Sequence, residues 1–542
     1  MRAPRPGARS TVSNEPIVDD DVAPSSIIRS SAVMALGTAA SRLTGFVRLA
    51  AMLYALGVER VTDTYTLANT TPNIVYELLL GGVLSATLVP VFVHHLEEDD
   101  EDGPSAVVTV MTVMLVALTV VGILAAPWIL RLYTSTVEGG TAADQREVGT
   151  ALLRLFMPQM LFYGLTAMGT ALLHARRRFA AAAWVPVLNN LLVSAVLFAI
   201  PTVVGHHPTL EDLRDDTGLL WLLGLGTTAG IVAMTVALWP FVRRAGIRLR
   251  WVFDLKNTAV REVAKLSGWT VGYVVTNQIA LLVVLLLANR TEGGVASYTV
   301  AFVFFQLPHA LVAVSLMSAL VPEMSSAAKR DDMPAYKRHF SLGIRLISLV
   351  VMPAAVGYIV LARPIVTALV EYGAADDVGL VADCLAMFAI GLLGFSVYLF
   401  TLRGFYARRD TKTPFLLNVV ENALNIALAL ALEPWLGVKG LALALALAYS
   451  ASALIAFVAL RRRVGLLGGR RLALAVGKIG AASGAMALAV LLVANRVGGD
   501  DGGGAIVRTG VGVVVGLVVF VVTVVALRTE EVDALRSRLK RA

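Results

Sequence analysis

Cysteine is almost missing from the 542 residues: Cys384 stands alone in an apolar segment, which excludes a disulfide framework and a thiolate metal cluster. Charge is scarce too. Asp, Glu, Lys and Arg make up 15% of the chain against 57% hydrophobic residues, too little to cover a soluble protein of this size. No G-x-x-x-x-G-K-[ST] phosphate loop occurs; "VGKIG" lacks both the upstream glycine spacing and the Ser/Thr, so ATP hydrolysis on this chain is not expected. H-E-x-x-H is absent, and histidines 94, 95, 174, 206, 207, 309 and 339 show no metal-ligand spacing. No acid–base pair has the spacing of an enzyme site, and no cofactor is implied. An apolar h-region is also lacking at the start, so residues 1–26 read as a disordered polar tail rather than a signal peptide.

Long apolar runs remain, and the mean hydropathy is +0.75. They predict an all-α polytopic membrane protein with fourteen spans. The limits are 28–56, 62–93, 106–130, 149–173, 181–203, 217–242, 266–289, 295–321, 341–369, 378–402, 413–433, 436–460, 472–495 and 505–527. The alternate loops read as inner carry 23 Lys and Arg, against seven in or beside the outer ones. The positive-inside bias therefore puts both termini in the cytoplasm. The acidic loop "HHLEEDDEDG" has no Lys or Arg on the inner side, but acids weigh little in this bias. A net charge of +8 placed between apolar segments suits lipid headgroups rather than nucleic acid. "GLGTTAG" and "GVGVVVG" lie inside spans and read as close helix packing.

Two patterns recur. "LSATLVP" is repeated by "LMSALVP", and "ARRRFAAAAWVPVLNN" by "ARRDTKTPFLLNVVEN", both at an offset of 232 residues. Spans 1–6 and 7–12 thus read as two copies of one unit, inserted with the same orientation and related by an axis along the membrane normal. The expected organisation is a tail (1–26), an N-lobe (27–245), a C-lobe (246–462), two extra spans (463–528) and a C-terminal tail (529–542). Two such bundles leave a central cavity suited to alternating access.

Charges inside spans need a reason. Arg42 and Arg48 sit in "AASRLTGFVRLA" of span 1, where each costs about 2.5–3.5 kcal/mol near a helix centre. Six residues is about 600° of helix, so the pair is not expected to share one face. Glu77 is an acid deep in an apolar run and calls for a partner. Pro72, before Asn73, is expected to bend span 2. In span 11, Asn418 with Asn422 and Glu421 with Asn425 are i,i+4 pairs. One carboxylate with amide oxygens inside a bundle suits Na⁺ or a proton, and interhelical hydrogen bonding is the plainer reading. Asn277 and Gln278 of span 7 are placed to face them.

"SRLTGFVR", "TDTYTLANTTPNIVYELLLGGVLSATLVPVF", "EYGAADD" and "GFYARRDTKTP" together resemble the MurJ/MviN lipid II flippases of the multidrug/oligosaccharidyl-lipid/polysaccharide exporter superfamily, over about residues 27–527. The "MPQMLFYGLTAMGTALLHARRRFAAAAWVPVLNN" stretch is similar to actinobacterial members. The resemblance implies transport of lipid II, an undecaprenyl-diphosphate-linked peptidoglycan precursor, from the inner to the outer leaflet for cell-wall synthesis. Its polar head would cross a cationic cavity, its tail would stay in a groove at spans 13 and 14, and an ion gradient or the membrane potential would drive it. Guanidinium groups suit a diphosphate because they stay ionised and bind bidentately. Arg48 is the expected headgroup contact; Arg42 either joins it or holds the helix to its neighbours. Asp63 of "TD" is expected either to pair with an arginine and gate the cavity or to serve as a helix-capping residue in the outer-side turn. Asn73 and Glu77 complete the expected set, with Arg403 as a further cation or a cytoplasmic anchor. Some members hold sodium in span 11. The sequence departs from the family pattern at Leu49, at Tyr76 and Glu77, and at Val303, where the family has an acid, arginines and a cavity arginine. Two other readings follow from these departures and the tails: export of another polyprenyl-linked saccharide, and a non-transporting scaffold for wall-synthesis proteins.

Overall fold

The structure is a computed structural model that describes residues 24–77, 88–98, 100–137, 139–370, 378–494, 496–499 and 502–529. The "EYGAADD" motif, most of the N-terminal tail, nearly all of the C-terminal tail and much of span 2 beyond Glu77 lie outside these residues.

The described residues of the apolar segments lie on helices, one or more to a segment. The N-lobe is built from α1 Pro24–Leu56, α2 Arg60–Tyr76, α3 Val89–Glu97, α4 Asp102–Tyr133, α5 Thr141–Phe156, α6 Gln159–Ala175, α7 Ala180–Val204, α8 Leu210–Asp215 and α9 Thr217–Arg244. The C-lobe follows with α10 Thr258–Ala288, α11 Gly294–Pro308, α12 Val314–Lys329, α13 Met333–Val370, α14 Val378–Ile390, α15 Leu392–Ala407, α16 Lys412–Leu436 and α17 Val438–Val464. The last two are α18 Gly469–Ala494 and α19 Gly502–Ala526. The described part of α1 starts at Pro24, inside the stretch read as tail.

Among the described residues, ten helices are long and apolar enough to cross a membrane, or eleven if the pair α14–α15, bent by 48°, is one span. Spans 1, 2 and 7 are outside that count, so the total of fourteen rests on the sequence. Several spans break at recognisable places. Span 4 divides at Met157 and Pro158, between α5 and α6. Span 8 passes from α11 through one π-helical turn, His309–Ala313, into α12 just after Pro308. Proline removes the N–H that Phe304 would have bonded, and the Tyr358 hydroxyl donates to that carbonyl instead (3.0 Å).

The repeat is visible in the backbone. Arg177 (φ 55°) and Arg409 (φ 61°) are both left-handed and both follow a helix end. The Arg177 amide donates to the His174 carbonyl, and that of Arg409 to Tyr406, each at 2.9 Å. One residue on, Arg178 bonds Leu173 and Asp410 bonds Phe405, the 6→1 closure of a helix C-terminus. A second pair of turns matches as well. Asp100 and Asp332 each bond back five residues, to His95 and Ala327, and each carboxylate then accepts the N–H three residues ahead, of Gly103 and Ala335. All four correspondences are 232 residues apart.

The lobes share one large buried core, while a second core belongs to α3, α4, α6 and α9. That second core also takes Ile247 from the linker and Ala259 and Val263 from the start of α10, so the linker leans on the N-lobe. A third cluster joins α13 to α18 and α19. There Gly512 lies against Leu361, and a Cβ on it would come within 2.9 Å, which is why that stripe is small.

Candidate functional site

Between the lobes lies a cavity of about 360 Å³. Helix α1 gives it Arg42, Gly45, Phe46, Arg48, Leu49 and Met52; α11 and the π turn give it Thr299, Val303, Gln306, Leu307 and Ala310. Both arginines line it, so of the two alternatives for Arg42 the structure has it join Arg48 at the cavity. Arg42 falls on the stripe 42–45–49–52, and Arg48 reaches in from the stripe's flank, about 120° from Arg42. The wall curves around α1, and long side chains close the remaining angle. Arg42 is exposed and Arg48 half-buried. The phenols of Tyr65 and Tyr163 lie within the electrostatic field of Arg48.

Helix α2 supplies the third wall with Tyr65, Thr66, Asn69, Thr70 and Asn73. Of these only Asn73 was anticipated. The signal for the rest was in "TLANTTPN": polar residues at 66, 69, 70 and 73 have the i, i+3, i+4, i+7 spacing of one helix face. Leu49 and Val303 line the cavity, so neither position adds charge there. Glu77 ends α2 half-buried and is not among the lining residues. Arg403 is also absent from the lining; it is exposed on α15, its guanidinium 5.9 Å from the Tyr406 ring centre.

Asp63 follows the capping alternative, on a helix of the other lobe, and has Arg60 beside it. It is fully buried at the end of the bundle read as outer, away from the cavity lining, where one carboxylate oxygen accepts the Ala296 N–H (2.9 Å). It therefore caps α11, a helix of the other lobe, rather than its own. Arg60, 3.8 Å from Asp63, donates to the Asn289 carbonyl at 2.7 Å. Asn289 in turn accepts from Gln145 (2.9 Å) and donates to the Tyr133 carbonyl (2.9 Å). Thr136 donates to the Leu286 carbonyl (2.8 Å). Gly293 makes the approach possible: its φ is +67°, and a Cβ would meet the Val58 carbonyl oxygen at 2.4 Å. Among the described residues, the hydrogen bonds from α2, α5 and the turn before α5 to α10 and α11 gather at this end, while at the other end the stretch before α10 bonds Ser105 and Thr109 through Arg250 and Val252. Arg60, Gln145 and Asn289 were missed because lone polar residues at helix ends or on a short helix carry no pairing signal in sequence.

In the C-lobe, α10 meets α16 through amides. Asn418 and Asn422 both donate to Asn277 Oδ1, at 3.0 and 2.9 Å. Glu421 and Asn425 are buried beside them, 1% and 3% exposed. Asn418 Oδ1, Glu421 Oε1, Asn425 Oδ1 and Gln278 Oε1 have no hydrogen-bond partner. Each unpaired buried acceptor costs about 1–3 kcal/mol. An all-oxygen set of this kind fits a hard monovalent cation or a proton.

A separate groove of about 640 Å³ runs between α13, α18 and α19, lined by Leu349, Met486, Leu517 and Phe520 among others. It is apolar almost throughout, and Pro308 puts its edge against span 8, whose other face forms the cavity wall.

At the turns read as inner, the Asp410 carboxyl is pulled up by burial. The Thr413 amide and hydroxyl and the Arg463 guanidinium outweigh that and hold it below the usual carboxylate range. Asp100 is lowered similarly: burial opposes the shift, and the Gly103 N–H, the His95 ring 2.7 Å away and the Asp102 N–H prevail.

A family model described as lipid II flippase MurJ matches residues 52–503. A probable lipid II flippase MurJ of Rhizobium tropici is 28% identical over 530 residues, covering 95% of this chain and 97% of that protein. The lipid II flippase MurJ of Burkholderia cenocepacia is 28% identical over 444 residues, 79% of this chain and 82% of its own. Among solved structures, a lipid II flippase MurJ in an inward closed conformation superposes with a TM-score of 0.73 at 20% identity, over 90% of this chain and 97% of that one. A multidrug resistance transporter of the MATE family, inward-facing, gives 0.64 at 16% identity, over 79% and 96%. The fold, the membrane-spanning helices and a family match over most of the sequence agree: the chain belongs to the MurJ family of lipid II flippases.

Proposed function

We propose that this multi-pass membrane protein carries lipid II from the inner to the outer leaflet by alternating access, with its two lobes rocking about the central cavity. One observation carries the reading: a cavity with two arginines on one helix, shut at one end by hydrogen bonds between the lobes and adjoined by an apolar groove. Arg48 and Arg42 hold the diphosphate. An arginine facing a wet cavity avoids most of the cost of one facing lipid. The undecaprenyl tail stays in the groove of α13, α18 and α19, where its apolar surface meets apolar side chains.

The end tied by these hydrogen bonds is read as the outer one from the basic loops, which supports loading of the cavity from the inner side. Asp63 and Arg60 bolt that closure rather than touch the cargo. The Asn277, Asn418, Asn422, Glu421 and Asn425 cluster takes up Na⁺ or a proton and couples its gradient to the rocking. Both termini face the cytoplasm, in keeping with the basic loops.

Lipid II exposure at the surface of cells depleted of their own flippase and supplied with this chain tests the reading. Exposure should be restored, and lost again in Arg48→Ala although that variant still inserts. An inserted wild-type protein that restores nothing would overturn the assignment.

A further inference from the structure

The cavity has two chemically different walls. Its cations stand on α1, and α2 offers only neutral hydroxyls and amides. Helix α2 holds other threonines, and their hydroxyls are satisfied. Thr62 donates to the Leu56 and Gly57 carbonyls, Thr64 to Arg60, and Thr71 to Leu67 and the Tyr133 hydroxyl. None of these three lines the cavity. Thr66 and Asn69 do line it, and there Thr66 Oγ1 and Asn69 Oδ1 have no partner. Thr66 is 7% exposed, so whatever bonds its hydroxyl has to come from the cavity side. Buried polar groups are normally paired, and two orphans side by side on one cavity wall mark a place where a ligand supplies the missing bonds. Asn73, the next residue on this face, is bonded by the Tyr163 hydroxyl, which sets the stripe's inner limit.

We propose that Thr66 and Asn69 form a saccharide-reading subsite, which bonds hydroxyl and N-acetyl groups of the first sugars while the arginines of α1 hold the diphosphate. The wall has the right chemistry: a threonine hydroxyl and an asparagine amide each both donate and accept, as sugar hydroxyls and acetamido groups do. The peptide arm of the cargo lies outside this subsite. The inference rests on the lipid II reading and divides its headgroup into an anionic and a neutral contact.

The test uses the purified full chain in nanodiscs and three probes: undecaprenyl diphosphate, its disaccharide without peptide, and complete lipid II. The wild type should bind the disaccharide lipid more tightly than undecaprenyl diphosphate, with little further gain from the peptide. The double variant Thr66→Val, Asn69→Leu should lose that gain, about tenfold in Kd for two hydrogen-bonding groups, and keep its affinity for undecaprenyl diphosphate. Retained binding of the bare diphosphate shows that the variant is folded. Thr66→Val alone, with Thr66→Ser as its rescue, serves should the double variant not fold. A variant that still prefers the disaccharide lipid, or a wild type whose gain comes only with the peptide, overturns the subsite and leaves the transport reading standing. A wild type that binds none of the three overturns both.

Discussion

The seam between α1 and α7 in the N-lobe corresponds, 232 residues on, to the seam between α10 and α16 in the C-lobe. In the first, Asn190 reaches across to the Ser41 carbonyl (3.0 Å) and the Thr44 hydroxyl (3.2 Å), and Gly45 lies opposite it. In the second, Asn422 stands at the place of Asn190, Asn277 at the place of Gly45, and Glu421 at the place of Asn189. The first seam ties one helix to another's backbone. The second spends its amides on one another and keeps a buried carboxylate with an unpartnered oxygen. The turns at the ends read as inner have kept a common geometry in both lobes, whereas the seams have diverged. A helix terminus admits few closures, because its last carbonyls need partners in fixed places. A seam between apolar helices tolerates any polar group that finds a bond, so it is free to acquire a task.

The division of labour extends to charge: the arginines lining the cavity are the N-lobe's, and the polar acceptor cluster is the C-lobe's. The strongest way to break the comparison is to remove a cation from each lobe. Arg48→Ala should reduce lipid II exposure about a hundredfold, the worth of a charge-assisted bidentate contact, while Arg403→Ala stays within about twofold. Equal losses would mean that both lobes hold the anion. Next comes the diverged position. Glu421→Gln should slow transport about tenfold and abolish its dependence on the coupling cation, measured as lipid II exposure at varied Na⁺ and pH. Asn189→Ala, its counterpart, should leave that dependence intact.

The bolt between the lobes is a weaker lever. Asp63→Asn should destabilise the closed outer end by about 1.5–3 kcal/mol, the worth of a hydrogen bond to a charged group. A cysteine placed at Thr299 should then react faster with an impermeant outer-side thiol reagent. Unchanged labelling would remove Asp63 from the gate. Asn190→Leu should cost about 1 kcal/mol, read as a lower melting temperature with transport rate preserved.

The smallest effect concerns the matched turns. Asp100 is lowered in the folded protein, so its stabilisation is present above the ordinary carboxylate value of about 4 and fades as pH falls through its lower folded value. Asp100→Ala should therefore lower the melting temperature slightly at pH 7 and lose that difference at acidic pH. Asp332→Ala, whose turn has Ala327 in place of His95, tests how much of the effect comes from the histidine.

Apolar runs, loop charges and a common offset of 232 residues were legible without coordinates, because bilayer thickness and helix rise leave little choice about what such runs become. The arginines of span 1 announced themselves by their cost, and the i,i+4 amides of span 11 by their spacing. Only tertiary structure decided the rest. It put Arg42 and Arg48 in one cavity despite their angular separation, since the wall curves around α1. It removed Asp63 from the cavity wall and made it the cap of a helix in the other lobe, a partner 233 residues away. It left Glu77 and Arg403 off the lining. Local sequence determines which segments become helices and which side chains need a partner. Which partner each receives depends on how two separately built lobes meet, and that is a property of the packed molecule alone.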